Sequence, residues 1–100
     1  MKYKSFKEFY PYYLSQHQNI MCRRLHFVGT LLAILFLFFF ILSLNFVYFI
    51  FAVIFGYGLA WIGHTIFEKN KPVTFKYPLY SLMGDLMMLK DVFNGKIKLF

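Results

Sequence analysis

The sequence predicts an all-α integral membrane fold. Its centre is an antiparallel two-helix transmembrane hairpin, preceded by an N-terminal interfacial helix and followed by a C-terminal interfacial or re-entrant helix. Three observations predict it. Of the 100 residues, 60% are hydrophobic and only 15% are charged, whereas a soluble domain of this size leaves roughly 40% of its chain surface exposed to water. From Leu25 to Phe67 there are 43 residues without Asp, Glu, Lys or Arg, enough for two crossings of about 20 residues each. All eleven basic residues lie outside that stretch. The balance excludes an ordinary soluble globule, a disordered chain and a coiled coil. The single Cys22 excludes an internal disulfide and a four-cysteine zinc site.

One membrane domain, 1–100, is expected, with an interfacial segment over 1–23, the hairpin over 24–67, and a loop plus amphipathic helix over 68–100. Ser5-Phe6-Lys7-Glu8 has the spacing of a capping box, so a short helix starts at Ser5. Pro11 removes a backbone donor, so the helix either stops near Tyr10 or restarts at Pro11 and runs through His17. Phe6, Phe9, Tyr10, Tyr12 and Tyr13 suit the headgroup layer, where rings with polar tips settle. The first span is read from about Arg24 to Leu42 and the second from about Phe46 to Phe67, with Ser43-Leu44-Asn45 as the turn. Pro72 and Pro78 mark Lys69 to Tyr77 as an ordered loop. A last helix from about Pro78 to Phe93 carries Leu79, Leu82, Met83, Leu86, Leu89 and Phe93 on an apolar face.

Lys2, Lys4, Lys7, Arg23 and Arg24 precede the hairpin, and Lys69, Lys71, Lys76, Lys90, Lys96 and Lys98 follow it. Basic flanks prefer the cytoplasmic face, so both termini are expected there and the turn on the opposite side. The charges form no stripe, so the net charge of +7 is read as membrane orientation, not nucleic-acid binding. The apolar run starts late, is far longer than the core of a signal peptide, and has no small-residue cleavage site after it.

The histidines carry the chemistry. Folding the hairpin about Asn45 puts His26 and His64, each nineteen residues away, at the same depth. Packed helix axes lie about 8–10 Å apart, within reach of two imidazoles sharing an ion. Gly29 and Ala33 follow His26 on one face, and Gly56, Ala60 and Gly63 lead to His64 on another. Such small-residue stripes mark close helix approach in membranes. In one continuous helix, His17 and His26 would point to opposite faces. Three ligands therefore require a non-helical connector within Gln18–Cys22, with Asn19 or Cys22 leading into the first span.

Glu68 follows His64 by four residues and faces the same way, as a ligand, a neighbour of the ligands, or a partner of Lys69 or Lys71. Asp85 interrupts the last apolar face, where it either serves the site, pairs with Lys90 or caps a helix. Cys22 reads as a small apolar filler. Histidine and carboxylate ligands with an open position suit non-haem iron and oxygen chemistry, and zinc accepts the same set. Two level histidines on neighbouring spans are also compatible with haem, and a hairpin that only assembles with other proteins needs no metal.

The runs Phe9-Tyr10-Pro11-Tyr12-Tyr13-Leu14-Ser15-Gln16-His17-Gln18-Asn19 and His26-Phe27-Val28-Gly29-Thr30 resemble those of the membrane 2-hydroxy-fatty-acid dioxygenases. So do Gly63-His64-Thr65-Ile66-Phe67-Glu68-Lys69-Asn70-Lys71-Pro72 and Pro78-Leu79-Tyr80-Ser81-Leu82. The likeness extends from about Phe6 to Gly95. It implies an iron(II)-dependent dioxygenase of fatty-acid α-oxidation that shortens a 2-hydroxy acid by one carbon, with His17, His26 and His64 as the essential histidines. Two departures stand out. Yeast-type members carry extra membrane sequence between the two motif blocks, and Val73 stands where the family usually has Ala. The implied partners are the lipid bilayer, a 2-hydroxy fatty acid and dioxygen, with a homo-oligomer left open. The implied location is the bacterial inner membrane, or the endoplasmic reticulum in a eukaryote. A substrate carboxylate in such a site would pair with Arg23 or Arg24, whose other role is positive-inside anchoring.

Overall fold

A computed structural model describes residues 3–99. Among them the chain is all-helical: α1 is Phe6–Ser15, α2 is Ile20–Ser43, α3 is Phe46–Ile62 and α4 is Pro78–Phe93. A π-helical turn, Gly63–Glu68, continues α3, and a 3-10 turn, Val73–Phe75, leads toward α4.

The hairpin turns where the polar break predicts. Leu44 ends α2 in the left-handed region at φ 56°, and the Asn45 side chain caps α3 by accepting from the Val47 N–H at 3.1 Å. The small residues then let the two backbones meet. A Cβ on Gly29 would stand 2.8 Å from the Phe55 carbonyl oxygen, and one on Gly56 would stand 3.3 Å from the Ala33 Cβ. Further down, a Cβ on Gly63 would lie 3.1 Å from both the Cα and the Sγ of Cys22. This contact explains why Cys22 is fully buried.

The two spans, Ile20–Ser43 and Phe46–Glu68, have mean hydropathies of 2.6 and 2.0 and are long and apolar enough to cross a bilayer. Only 11% and 17% of their most apolar windows are buried inside the protein. A core helix of a soluble protein would hide most of that surface.

Three boundaries depart from the sequence reading. Helix α2 begins at Ile20 and not Arg24, because the Asn19 side chain accepts from the N–H groups of Met21 at 2.8 Å and Cys22 at 3.4 Å. Helix α3 keeps α-geometry only to Ile62, after which the turn widens. Helix α1 neither stops near Tyr10 nor restarts at Pro11; it runs through the proline. The hydrogen bond Pro11 cannot make would have gone to the Lys7 carbonyl, and both residues lie on the exposed face, where solvent can substitute.

Part of the aromatic cluster packs inside the domain. Phe9 and Tyr13 are fully buried and form a core with Val73, Tyr77 and Met88, so α1 is a packed part of the domain. Its contact with α4 is close, since a Cβ on Gly84 would fall 2.6 Å from the Tyr13 ring. Two phenol–carboxylate bonds fasten the pair: Tyr10 donates to Asp91 at 2.7 Å, and Tyr13 donates to Asp85. The expected helix Pro78–Phe93 is found with those bounds, its proline in the first turn where no donor is missed.

The hairpin seam yields a paired test. Gly29→Ala is expected to destabilise the folded protein by about 1–3 kcal/mol through overpacking. Gly58→Ala, whose Cβ would meet nothing within 4 Å, should be neutral or slightly stabilising. Thermal unfolding of both variants in detergent checks the pair, and equal losses would contradict this seam.

Candidate metal centre

Three histidines from three separate segments meet at the base of the hairpin. His17 comes from the connector between α1 and α2, His26 from the second turn of α2, and His64 from the π turn. All are buried, with exposures of 1%, 3% and 2%. Their ring centroids lie 4.3, 4.5 and 4.8 Å apart, and one ring nitrogen from each lies within 4.8 Å of the others.

Each ring is oriented through its Nδ1. The His17 Nδ1 lies 2.6 Å from the Tyr13 carbonyl oxygen, and the His26 Nδ1 lies 2.8 Å from that of Cys22. The His64 Nδ1 lies 2.7 Å from the Asn70 Oδ1. Each acceptor calls for a proton on Nδ1, which leaves a lone pair on every Nε2. The Nε2 atoms of His17 and His26 then face each other at 3.1 Å. Two lone pairs at that distance in a buried site repel, and a cation between them turns the repulsion into attraction. Two nitrogens each about 2.1 Å from one ion at a right angle stand about 3 Å apart, so the spacing fits shared ligation.

Burial, followed by the neighbouring His26, pushes His17 down to about 2. The ring is thus neutral at ordinary pH, as a metal ligand must be. Its face stacks on Tyr13 at 4.0 Å. The Tyr13 hydroxyl is itself pushed up by burial and by Asp85, and Asp85 is pushed up to about 6 by burial.

The second layer of contacts holds these rings in place. Asn70 donates from Nδ2 to both the backbone oxygen and the Oε1 of Gln16 at 3.2 Å, which turns its Oδ1 toward His64. The Arg23 Nε donates to the His17 carbonyl. The Arg24 Nε donates at 2.6 Å to the Leu99 carbonyl, pinning the C-terminal segment beneath α2. Glu68 is placed beside the cluster and outside its three ligand nitrogens. Its Oε1 accepts from the Asn19 backbone N–H, so a carboxylate ill-suited to the end of its own helix sits at the positive N-terminus of α2.

A non-helical connector is present, but it occupies residues 16–19, earlier than the expected Gln18–Cys22, of which Ile20, Met21 and Cys22 already belong to α2. The sequence reading missed Asn70 and Gln16 as supports and Tyr13 as the partner of Asp85. Asn70 lies inside the Gly63–Pro72 motif, and its place six residues after His64 is the signal that could have marked it.

A helical hairpin rooted in three buried, oriented imidazoles could hold a metal ion, and both arms of that hairpin are long and apolar enough to cross a membrane. The chain belongs to the 2-hydroxy-palmitic acid dioxygenase Mpo1-like family, whose model matches residues 3–97. No curated protein and no solved structure matches it.

Two outcomes follow for the site. Asn70→Ala, which removes the acceptor for His64, is expected to weaken metal affinity about 10–100-fold. Titration with cobalt(II), followed by its visible absorption, reads this, and an unchanged affinity would argue against an oriented His64. Asp85 is raised in the folded chain, so its contribution to stability is complete below its ordinary value of 3.8 and is lost as pH rises through about 6. Asp85→Asn should therefore raise Tm above about pH 6 and change it little near pH 4. The same Tm gain at both pH values would contradict that assignment.

Proposed function

We propose that this protein is an iron(II)-dependent dioxygenase that converts a 2-hydroxy fatty acid to the one-carbon-shorter acid at the cytoplasmic surface of a membrane. The observation that carries the proposal is the convergence of three neutral Nε2 lone pairs, each held by a partner on Nδ1. Family membership supplies the reaction class. The basic residues on both flanks of the hairpin support cytoplasmic termini.

His17, His26 and His64 would hold the ion. Iron(II), when bound, supplies the redox chemistry that lets dioxygen react with a saturated acid. A 2-hydroxy acid and one dioxygen balance as the shortened acid, carbon dioxide and water, with no further oxidant. The remaining tasks belong to the chain. Tyr13, Cys22 and Asn70 keep the three imidazoles in one tautomer and one orientation. Tyr13 also covers the outer face of His17, and the α1–α4 core keeps water from that side. Arg23, held beside the cluster by its bond to the His17 carbonyl, is proposed to pair with the substrate carboxylate. Arg24, tied to Leu99, is assigned to anchoring. Glu68 is proposed as a positioning residue that holds the end of the π turn against Asn19 and so fixes His64.

The ring geometry disfavours haem. Two axial nitrogens on a haem lie on opposite faces of a wide planar ring. Here the two level histidines, His26 and His64, have a third imidazole, His17, at 4.3 and 4.5 Å, in the space a porphyrin would need.

Elemental analysis of protein prepared anaerobically is expected to give about one iron per chain, lost in His17→Ala, His26→Ala and His64→Ala. Mass spectrometry of reactions with 2-hydroxypalmitic acid should show the fifteen-carbon acid only from the iron-loaded protein. Folded protein that takes up no iron, or that takes it up without forming that product, would overturn the proposal.

A further inference from the structure

A groove of about 420 Å³ opens between α2, α3 and α4. Its wall is almost wholly apolar, with Thr30, Ala33, Leu37, Ala52, Gly56 and Asp85 among the lining residues. The size falls within the range of small-molecule sites. The groove exists because the seam residues are small: Ala52 is buried, and Gly56 presents no side chain toward Ala33. Leu82 and Leu86 of α4 form part of the opposite wall.

Resting on the dioxygenase reading above, we propose that this groove holds the acyl chain of the 2-hydroxy acid, with Leu37 and Phe49 closing its far end and setting the chain length. Both ends support the assignment. At one end, Asp85 lines the groove and accepts from Tyr13, whose ring stacks on His17, so the groove starts one residue layer from the histidines. Thr30 at the same end follows His26 by one helical turn. At the other end, Leu37 lies eleven residues beyond His26, a rise of about 16 Å. An extended hydrocarbon advances about 1.25 Å per carbon, so about thirteen carbons cover that distance. A palmitic chain has fourteen carbons after C2. The groove therefore leads away from the layer beside a polar, metal-capable head site, with about 10 Å of its apolar wall on α2 between Thr30 and Leu37 and the turn from His26 to Thr30 making up the rest, the layout an amphiphile with one short polar end requires.

The test uses the full chain in phosphatidylcholine nanodiscs and two photoreactive 2-hydroxypalmitic acids, one with a diazirine near the methyl end and one near C4. Peptide mapping is expected to place the first adduct on Leu37, Phe49 and Val53 and the second on Thr30, Leu82 and Leu86. Adducts spread equally over outward residues such as Ile41 and Ile54 would overturn the groove. So would the same adducts from a diazirine phosphatidylcholine, which would make it a seat for bulk lipid. Leu37 is 38% exposed, so Leu37→Trp can fill the far end without disturbing the helix seam. It should lower the labelling ratio of the palmitic to the decanoic 2-hydroxy acid about tenfold, and an unchanged ratio counts against Leu37 as the stop. Labelling does not depend on turnover. Groove adducts without product would sink the dioxygenase reading alone, and product without groove adducts would sink this one alone.

Discussion

Two buried imidazoles with Nε2 lone pairs 3.1 Å apart are an arrangement the rest of the chain must force. Left to themselves, the rings would turn so that one donates to the other. They cannot, because each Nδ1 proton is already claimed by a carbonyl of the preceding helical turn. His64 completes the cluster from the opposite arm of the hairpin under the same rule, with an amide side chain as its acceptor. One small cation between the rings would relieve the conflict, and burial holds off the proton that would otherwise do so.

The fold serves that constraint in parts. The glycine seam brings α2 and α3 close enough for residues 26 and 64 to share a site. The π turn changes the facing of the residues after Ile62, a deviation that recurs at functional sites. The α1–α4 core presses the connector inward through the stack of Tyr13 on His17. The two halves of the molecule also differ in surface character. The hairpin exposes its apolar surface along most of its length, whereas the base holds nearly all the buried aromatic and polar residues.

Much of this is legible in the sequence. The 43-residue uncharged run with one polar break defines the hairpin, and counting outward from Asn45 places His26 level with His64. Helical phase alone shows that His17 needs a break before it can join them. What escapes is set by contacts between segments distant in sequence. No local pattern reveals that Glu68 will sit on the N-terminus of α2, because that placement needs the hairpin already folded. The π turn escapes because hydrophobic periodicity does not register one widened turn. The aromatic cluster of α1 reads the same whether its rings meet lipid headgroups or Val73, Tyr77 and Met88. Pro11 misleads because the carbonyl it frees, that of Lys7, lies on the exposed face, where solvent offsets part of the lost hydrogen bond.

Family membership and the three-histidine cluster carry the proposed dioxygenase reading, in which one hairpin and two short helices would supply the ligands, their supports and an apolar path. The most direct test of its central claim is X-ray absorption spectroscopy at the iron edge of the loaded, anaerobic protein. The account predicts a first shell containing three imidazole nitrogens, with the outer-shell scattering of three rings, reduced to two in His64→Ala. A first shell dominated by oxygen, or one unchanged by that substitution, would contradict it.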